Sequence, residues 1–83
     1  MDLNEVAVFI KVVQAGSFSQ AAQQLGMPNS TVSSKVSSLE KRLGTTLIQR
    51  TTRRLNITPA GQAYFKQCLQ GLEEIMAGEQ MLA

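Results

Sequence analysis

Histidine and tryptophan are both missing from this 83-residue chain, and there is a single cysteine, Cys68. Without histidine a zinc site has no realistic ligand set. One thiol cannot close an internal disulfide, so Cys68 reads as a small buried hydrophobe. Enzyme chemistry is short of parts as well: the chain has no nucleophile paired with a base, no phosphate-cradling glycine loop and no paired carboxylates outside Glu73-Glu74. Aromatic side chains are few. Phe9, Phe18 and Phe65 sit at core-like positions and Tyr64 is the one other ring, which leaves no stacking platform for single-stranded nucleic acid or RNA. There is no apolar run of bilayer length, no charged-then-apolar leader, no low-complexity tract and no repeat, so a cytosolic chain with no membrane partner is expected.

What the chain does have is serine, concentrated on one side of a helix. At about 100° per residue, Val32, Val36, Leu39 and Leu43 fall on one narrow arc, the stripe of a core-facing helix. Ser30, Ser33, Ser34, Ser37 and Lys41 cluster opposite, with Thr31, Lys35 and Ser38 along a flank. An ordinary exposed helix carries Glu, Lys, Gln and Ala, which hold helical structure better than Ser or Thr. A face of small hydroxyls suits either a solvated surface or a helix laid against another molecule.

The flanking segments frame that helix. Ser17-Phe18-Ser19-Gln20 reads as a capping box that starts a second helix near Phe18. Ala21, Ala22 and Leu25 give it a small apolar side, and Gly26 supplies its end. Gly26-Met27-Pro28 is then a tight connection, with Pro28 in the first turn of the next helix, and the unit is a helix-turn-helix. A first helix runs from Leu3 to about Gln14, opened by a capping-box pair, Asp2 and Glu5, and closed by Gly16. Its stripe of Leu3, Val6, Ile10 and Val13 is widened by Ala7, Val8, Phe9 and Val12. It is expected to be buried on two sides, by its own core or by a helix of a partner chain.

After Gly44 the pattern shortens. Thr45 to Arg50 and Leu55 to Ile57 suit two strands of a small hairpin, with Thr51-Thr52-Arg53-Arg54 as a basic tip. Thr58-Pro59 is the cleanest helix start in the chain, a hydroxyl cap followed by proline. From there a last helix runs to the end, with Phe65, Cys68, Leu72, Ile75, Glu79 and Leu82 in alternating spacings of three and four and Leu69 and Met76 beside the seam. Gly71 and Gly78 weaken its continuity. It is more apolar than one small domain needs, and a single core of this size is only marginally sufficient, so dimerisation is expected.

Charge is segregated. Residues 11–66 hold all eight basic side chains against one acid, Glu40, a net +7, while Asp2, Glu5, Glu73, Glu74 and Glu79 lie towards the ends. The basic middle coincides with the helix-turn-helix and hairpin, the distribution of a surface that meets a polyanion. Arg42 and Lys66 fit an ordinary solvated face equally well.

Five runs in this order, Gly16-Ser17-Phe18-Ser19-Gln20-Ala21-Ala22, Ser30-Thr31-Val32-Ser33, Leu39-Glu40-Lys41-Arg42-Leu43-Gly44, Arg50-Thr51-Thr52-Arg53-Arg54 and Thr58-Pro59-Ala60-Gly61, closely resemble the N-terminal domain of LysR-type transcriptional regulators. The resemblance spans nearly the whole chain. It implies a mainly α fold: a winged helix-turn-helix of three helices and a two-stranded β-hairpin over residues 1–58, then a linker helix over 59–83 that pairs with its twin in a homodimer. It further implies sequence-specific binding of double-stranded operator DNA, no enzymatic activity, no cofactor in this domain, and an effector-binding domain, outside this chain, that takes a small molecule. A cytoplasmic, nucleoid-associated bacterial protein is the matching location.

Carried across position by position, the resemblance points to Asn29, Ser30, Thr31, Ser33, Ser34 and Lys35 as the groove-facing group, and the chemistry of the residues agrees. Asn29 suits adenine, Ser and Thr bond a base or a phosphate, and Lys35 serves phosphate. The family often carries Arg at the position of Ser34 and a longer amide at that of Asn29, so specificity is expected to lean on DNA shape and on the wing. Arg53 and Arg54 are candidates for the minor groove. Arg50 has two readings, a phosphate clamp or a structural pair with Glu40 or a helix C-terminus. Ser17, with Ser19 and Gln20, suits a phosphate contact in addition to capping. Phe65, Leu69, Leu72, Ile75 and Met76 are the expected pairing residues of the linker helix.

Overall fold

The computed structural model describes residues 1–50 and 54–83, in the order α1 (Leu3–Ala15), α2 (Phe18–Leu25), α3 (Asn29–Leu43), β1 (Ile48–Gln49), β2 (Asn56–Ile57) and α4 (Pro59–Leu82). Side-chain caps start α1, α2 and α4, and left-handed glycines end α1, α2 and α3. Asp2 Oδ1 accepts from the amides of Asn4 at 2.8 Å and Glu5 at 3.4 Å. The return half of that expected box is not used, because Glu5 is turned towards Arg42 instead, at 3.3 Å. Ser17 Oγ accepts from the Gln20 amide at 3.0 Å and so starts α2. Gly26 closes α2 in the left-handed region, φ 66°, where the Met27 amide reaches back to the Ala22 carbonyl at 3.1 Å. Pro28 stands just outside α3 as its N-cap rather than within its first turn.

The core lies where α1 crosses α2 and α3. Val8, Phe9 and Val12 of α1 meet Ala21, Ala22, Val32, Val36 and Leu39, closed below by Leu47 and Ile48. The two alanines let α1 and α2 approach closely. The wide apolar surface predicted for α1 is largely covered: Val8, Phe9, Ile10 and Val12 are buried and Val6 and Val13 pack half-buried against the core, whereas Leu3 and Ala7 are exposed. Leu43 likewise ends the α3 stripe at the surface, 38% exposed.

The hairpin is shorter than the sequence pattern suggests. Ile48 pairs with Ile57 and Gln49 with Asn56, antiparallel. Thr45 and Thr46 stand outside the ladder, and Leu47 meets its register partner Thr58 through its carbonyl while its amide is taken by Glu40. The Thr45 amide caps the Glu40 carbonyl at 3.1 Å, and the Leu47 carbonyl accepts from the Thr58 amide at 3.0 Å. The Thr58 hydroxyl accepts from the Gly61 amide at 3.0 Å and donates to the Thr46 carbonyl at 2.7 Å, which moors the start of α4 to the wing. Gly61 is buried there, and a Cβ would run into the Leu47 carbonyl and the Ile57 side chain. Only glycine fits this approach.

Helix α4 continues through Gly71 and Gly78 without a break. Its first turns pack on the core through Tyr64 and Phe65, with the Tyr64 ring 5.7 Å from that of Phe9. Phe65, grouped by sequence with the pairing residues, is half-buried and packs against the domain's own core as well. Cys68 is half-buried rather than buried, because the helix is already leaving the core at that turn.

Candidate nucleic-acid interface

The exposed side of α3 is the one the heptad-like arithmetic singles out. Val32, Val36 and Leu39 have no solvent exposure, which fixes the rotation of the helix, and Asn29, Ser30, Ser34, Ser37, Ser38 and Lys41 are consequently presented outward. Thr31, Ser33 and Lys35 lie half-buried at the margins of that face. The Pro28 cap leaves the α3 N-terminus without a side-chain hydrogen bond.

Arg50 organises one margin. Its Nη1 donates to Ser33 Oγ at 3.0 Å and Ser37 Oγ at 2.8 Å, and its Nη2 donates to Glu40 Oε1 at 3.2 Å. The guanidinium lies over the Phe18 ring, 4.9 Å from the centroid. Of the two sequence readings of this residue, the structure places it in the pair with Glu40. The sequence reading of Glu40 stopped at that pair and missed its second task. Its other oxygen, Oε2, accepts from the backbone amides of Leu47 at 2.7 Å and Ile48 at 3.1 Å. One carboxylate thus ties the wing to α3 and holds Arg50 over α3. The available signal was its isolation, the single acid within a stretch of eight basic residues.

The start of α2, the side of α3 and the wing enclose a shallow concavity lined by Ser17, Phe18, Ser33, Arg50 and Arg54. Gln20 is exposed beside it. Arg53, the other proposed tip residue, lies outside the described residues. Arg42 is bound up with Glu5, so it locks the end of α3 to the start of α1 and is withdrawn from the basic face. At the base of α4, burial pushes the Tyr64 hydroxyl above its usual range, with the neighbouring Cys68 adding to the shift. Burial also pushes the Cys68 thiol up, which keeps it protonated and unreactive at neutral pH. Farther along the helix Leu72, Ile75 and Met76 are exposed, at 37, 55 and 51%. Leu69 is half-buried.

Residues 3–62 match the sequence profile described as "Bacterial regulatory helix-turn-helix protein, lysR family". The chain belongs to the LysR family. Among LysR-type relatives, it is 50% identical over 80 residues to the HTH-type transcriptional regulator CrgA of Neisseria meningitidis, an overlap of 95% of this chain and 27% of that protein. A regulator of Xanthomonas campestris is 49% identical over 78 residues, covering 94% of this chain and 23% of that one. The chain therefore spans about a quarter of the length of these relatives. Among solved structures, the DNA-binding domain in the crystal structure of the BenM_DBD/catB site 1 DNA complex superposes with a TM-score of 0.93 at 28% identity, covering 99% of this chain and 91% of that one. CrgA itself gives 0.82 at 48% identity, covering 100% of this chain and 29% of that one. The fold is the winged helix-turn-helix of LysR regulators, followed by their long C-terminal helix. No described helix is long and apolar enough to cross a membrane.

Proposed function

We propose that two copies of this chain pair through α4 and present their α3 helices to successive major grooves of an operator duplex, as the DNA-reading part of a transcriptional regulator. The observation that carries this reading is the two-sidedness of α3. A stripe with no exposure anchors it, and a smooth face of Asn29, Ser30, Ser34, Ser37 and Lys41 is exposed. An α-helix with short side chains on its outer face seats in the major groove without steric conflict. Asn29, Ser30, Thr31, Ser33 and Ser34 read base edges or bond phosphates, Lys35 bonds phosphate, and Ser17 and Gln20 meet the backbone at the start of α2. Arg53 and Arg54 enter the adjoining minor groove from the wing. Residues 1–58 thus carry DNA contacts and residues 59–83 carry pairing through Leu69, Leu72, Ile75 and Met76. The remainder of a full-length regulator senses a small-molecule effector, and the whole has no catalytic task.

Duplexes recovered from random DNA by this chain, titrated in fluorescence anisotropy at two salt concentrations, test the reading. Affinity should fall steeply with salt, and Ser33→Glu, which sets a carboxylate against the phosphates, should abolish binding. Equal binding by that variant would show that a different face meets DNA.

A further inference from the structure

Ser33, Ser37 and Glu40 recur at spacings of four and three along α3, so they form one stripe up the side of the helix, and the Arg50 guanidinium lies along it. Its orientation is fixed three ways. Glu40 holds Nη2, the Phe18 ring supports one face, and Glu40 is itself held by the Leu47 and Ile48 amides. The two Nη1 protons are then aimed at the two hydroxyl oxygens, at 3.0 and 2.8 Å. A serine hydroxyl that accepts from a cation is polarised into a better donor and a poorer acceptor, and the nearby positive charge repels any N–H group brought up to it. Ser37 is exposed and Ser33 half-buried at the rim of the outward face, so both protons are within reach of an approaching duplex.

We infer that Arg50 is a positioning residue for DNA recognition, one that presents Ser33 and Ser37 as hydrogen-bond donors, so that this margin of α3 takes acceptors of duplex DNA, a purine N7 or a phosphate oxygen, and rejects base amino groups. This rests on the duplex-binding reading above. Arg50 acts through the serines and does not itself contact DNA. Its charge is compensated by Glu40, and it adds little to the salt dependence of binding.

The test uses a duplex selected by the wild-type chain, with single 7-deazapurine or single methylphosphonate replacements along it. Arg50→Lys keeps the charge but lacks the planar fork that serves two hydroxyls and a carboxylate at once. It should bind the unmodified duplex about tenfold more weakly, in line with the loss of one good polar contact, with an unchanged salt slope. Ser33→Ala with Ser37→Ala should lose the same factor, and the triple variant should lose no more. A base acceptor is identified if one 7-deazapurine position that weakens wild-type binding has no effect on the variants; a phosphate acceptor is identified if one methylphosphonate position behaves that way. Losses that multiply in the triple variant, or an unaltered interference pattern in the serine variant, would overturn the inference. The serine variant changes only the outer margin of α3, so an unaltered interference pattern in it overturns the inference even if Arg50→Lys does not fold. A wild-type chain that selects no duplex would instead overturn the parent reading, and this one with it.

Discussion

At the residue scale the most consequential side chain is Glu40, a carboxylate that satisfies two backbone amides and one guanidinium at once. Removing an acceptor from buried or half-buried donors costs more than forming the bonds contributes, because the orphaned groups have lost their water. Glu40→Ala should therefore destabilise the domain by about 2–4 kcal/mol, a drop of roughly 10–20 °C in the thermal midpoint for a domain of this size. Circular-dichroism melting checks it, and Glu40→Gln, which keeps an acceptor oxygen for the amides, should fall between. A midpoint within 2 °C of wild type in Glu40→Ala would remove Glu40 as the tie between wing and α3. The pair Arg42 and Glu5 is a second such tie, more exposed and worth less. The pair of Arg50 with Glu40 was one of two sequence readings, whereas that of Arg42 with Glu5 was not legible, because Arg42 looked like one more solvated cation and Glu5 like half of a capping box.

At the element scale α4 divides into two parts with different tasks. Gly61, Tyr64 and Phe65 tie its beginning to the wing and core, and past Leu69 its apolar residues Leu72, Ile75, Met76, Met81 and Leu82 are exposed. The two interior glycines cost helix stability, about 1 kcal/mol each, yet the helix continues. If the exposed turns pair with a second copy, Leu72→Asp together with Ile75→Asp should give a monomer in light scattering. The melting of the α1 to α3 core should stay close to that of the wild type, because both residues lie outside it. A dimer in that double variant would move the pairing surface elsewhere. The Thr58-Pro59 pair marked the start of α4 correctly, but spacing along the helix does not show that Phe65 packs on its own domain.

At the scale of the whole molecule, the charges are arranged around the fold rather than spread over it. Five of the six acids lie at the start of α1 and in the second half of α4, and six of the eight cations fall between residues 35 and 54, with Lys11 on α1 and Lys66 on α4. Arg42 and Arg50 are bound to Glu5 and Glu40, so the field over the proposed interface is weaker than the net +7 of residues 11–66 suggests. The tip pair then gains weight. Arg53→Ala with Arg54→Ala should weaken binding to every duplex alike and make the plot of log affinity against log salt shallower by about 2, one unit for each phosphate no longer neutralised. Anisotropy titrations at several salt concentrations measure both quantities, and an unchanged slope would take the wing out of the contact surface.

The sequence by itself determined whatever depends on neighbours along the chain. The caps at Asp2, Ser17 and Thr58, the glycine stop at Gly26, the apolar stripe of α3 and the hydroxyl face opposite it all follow from spacings of a few residues, and so does the likeness to LysR regulators. Tertiary structure alone decided how the charged groups are shared. Arg50 with Ser33, Ser37 and Glu40, and Arg42 with Glu5, join positions 10 to 37 residues apart. Which of several cations meets which acid depends on where the packed helices and the wing bring their ends together, a matter of three-dimensional geometry that local propensity and periodicity do not encode.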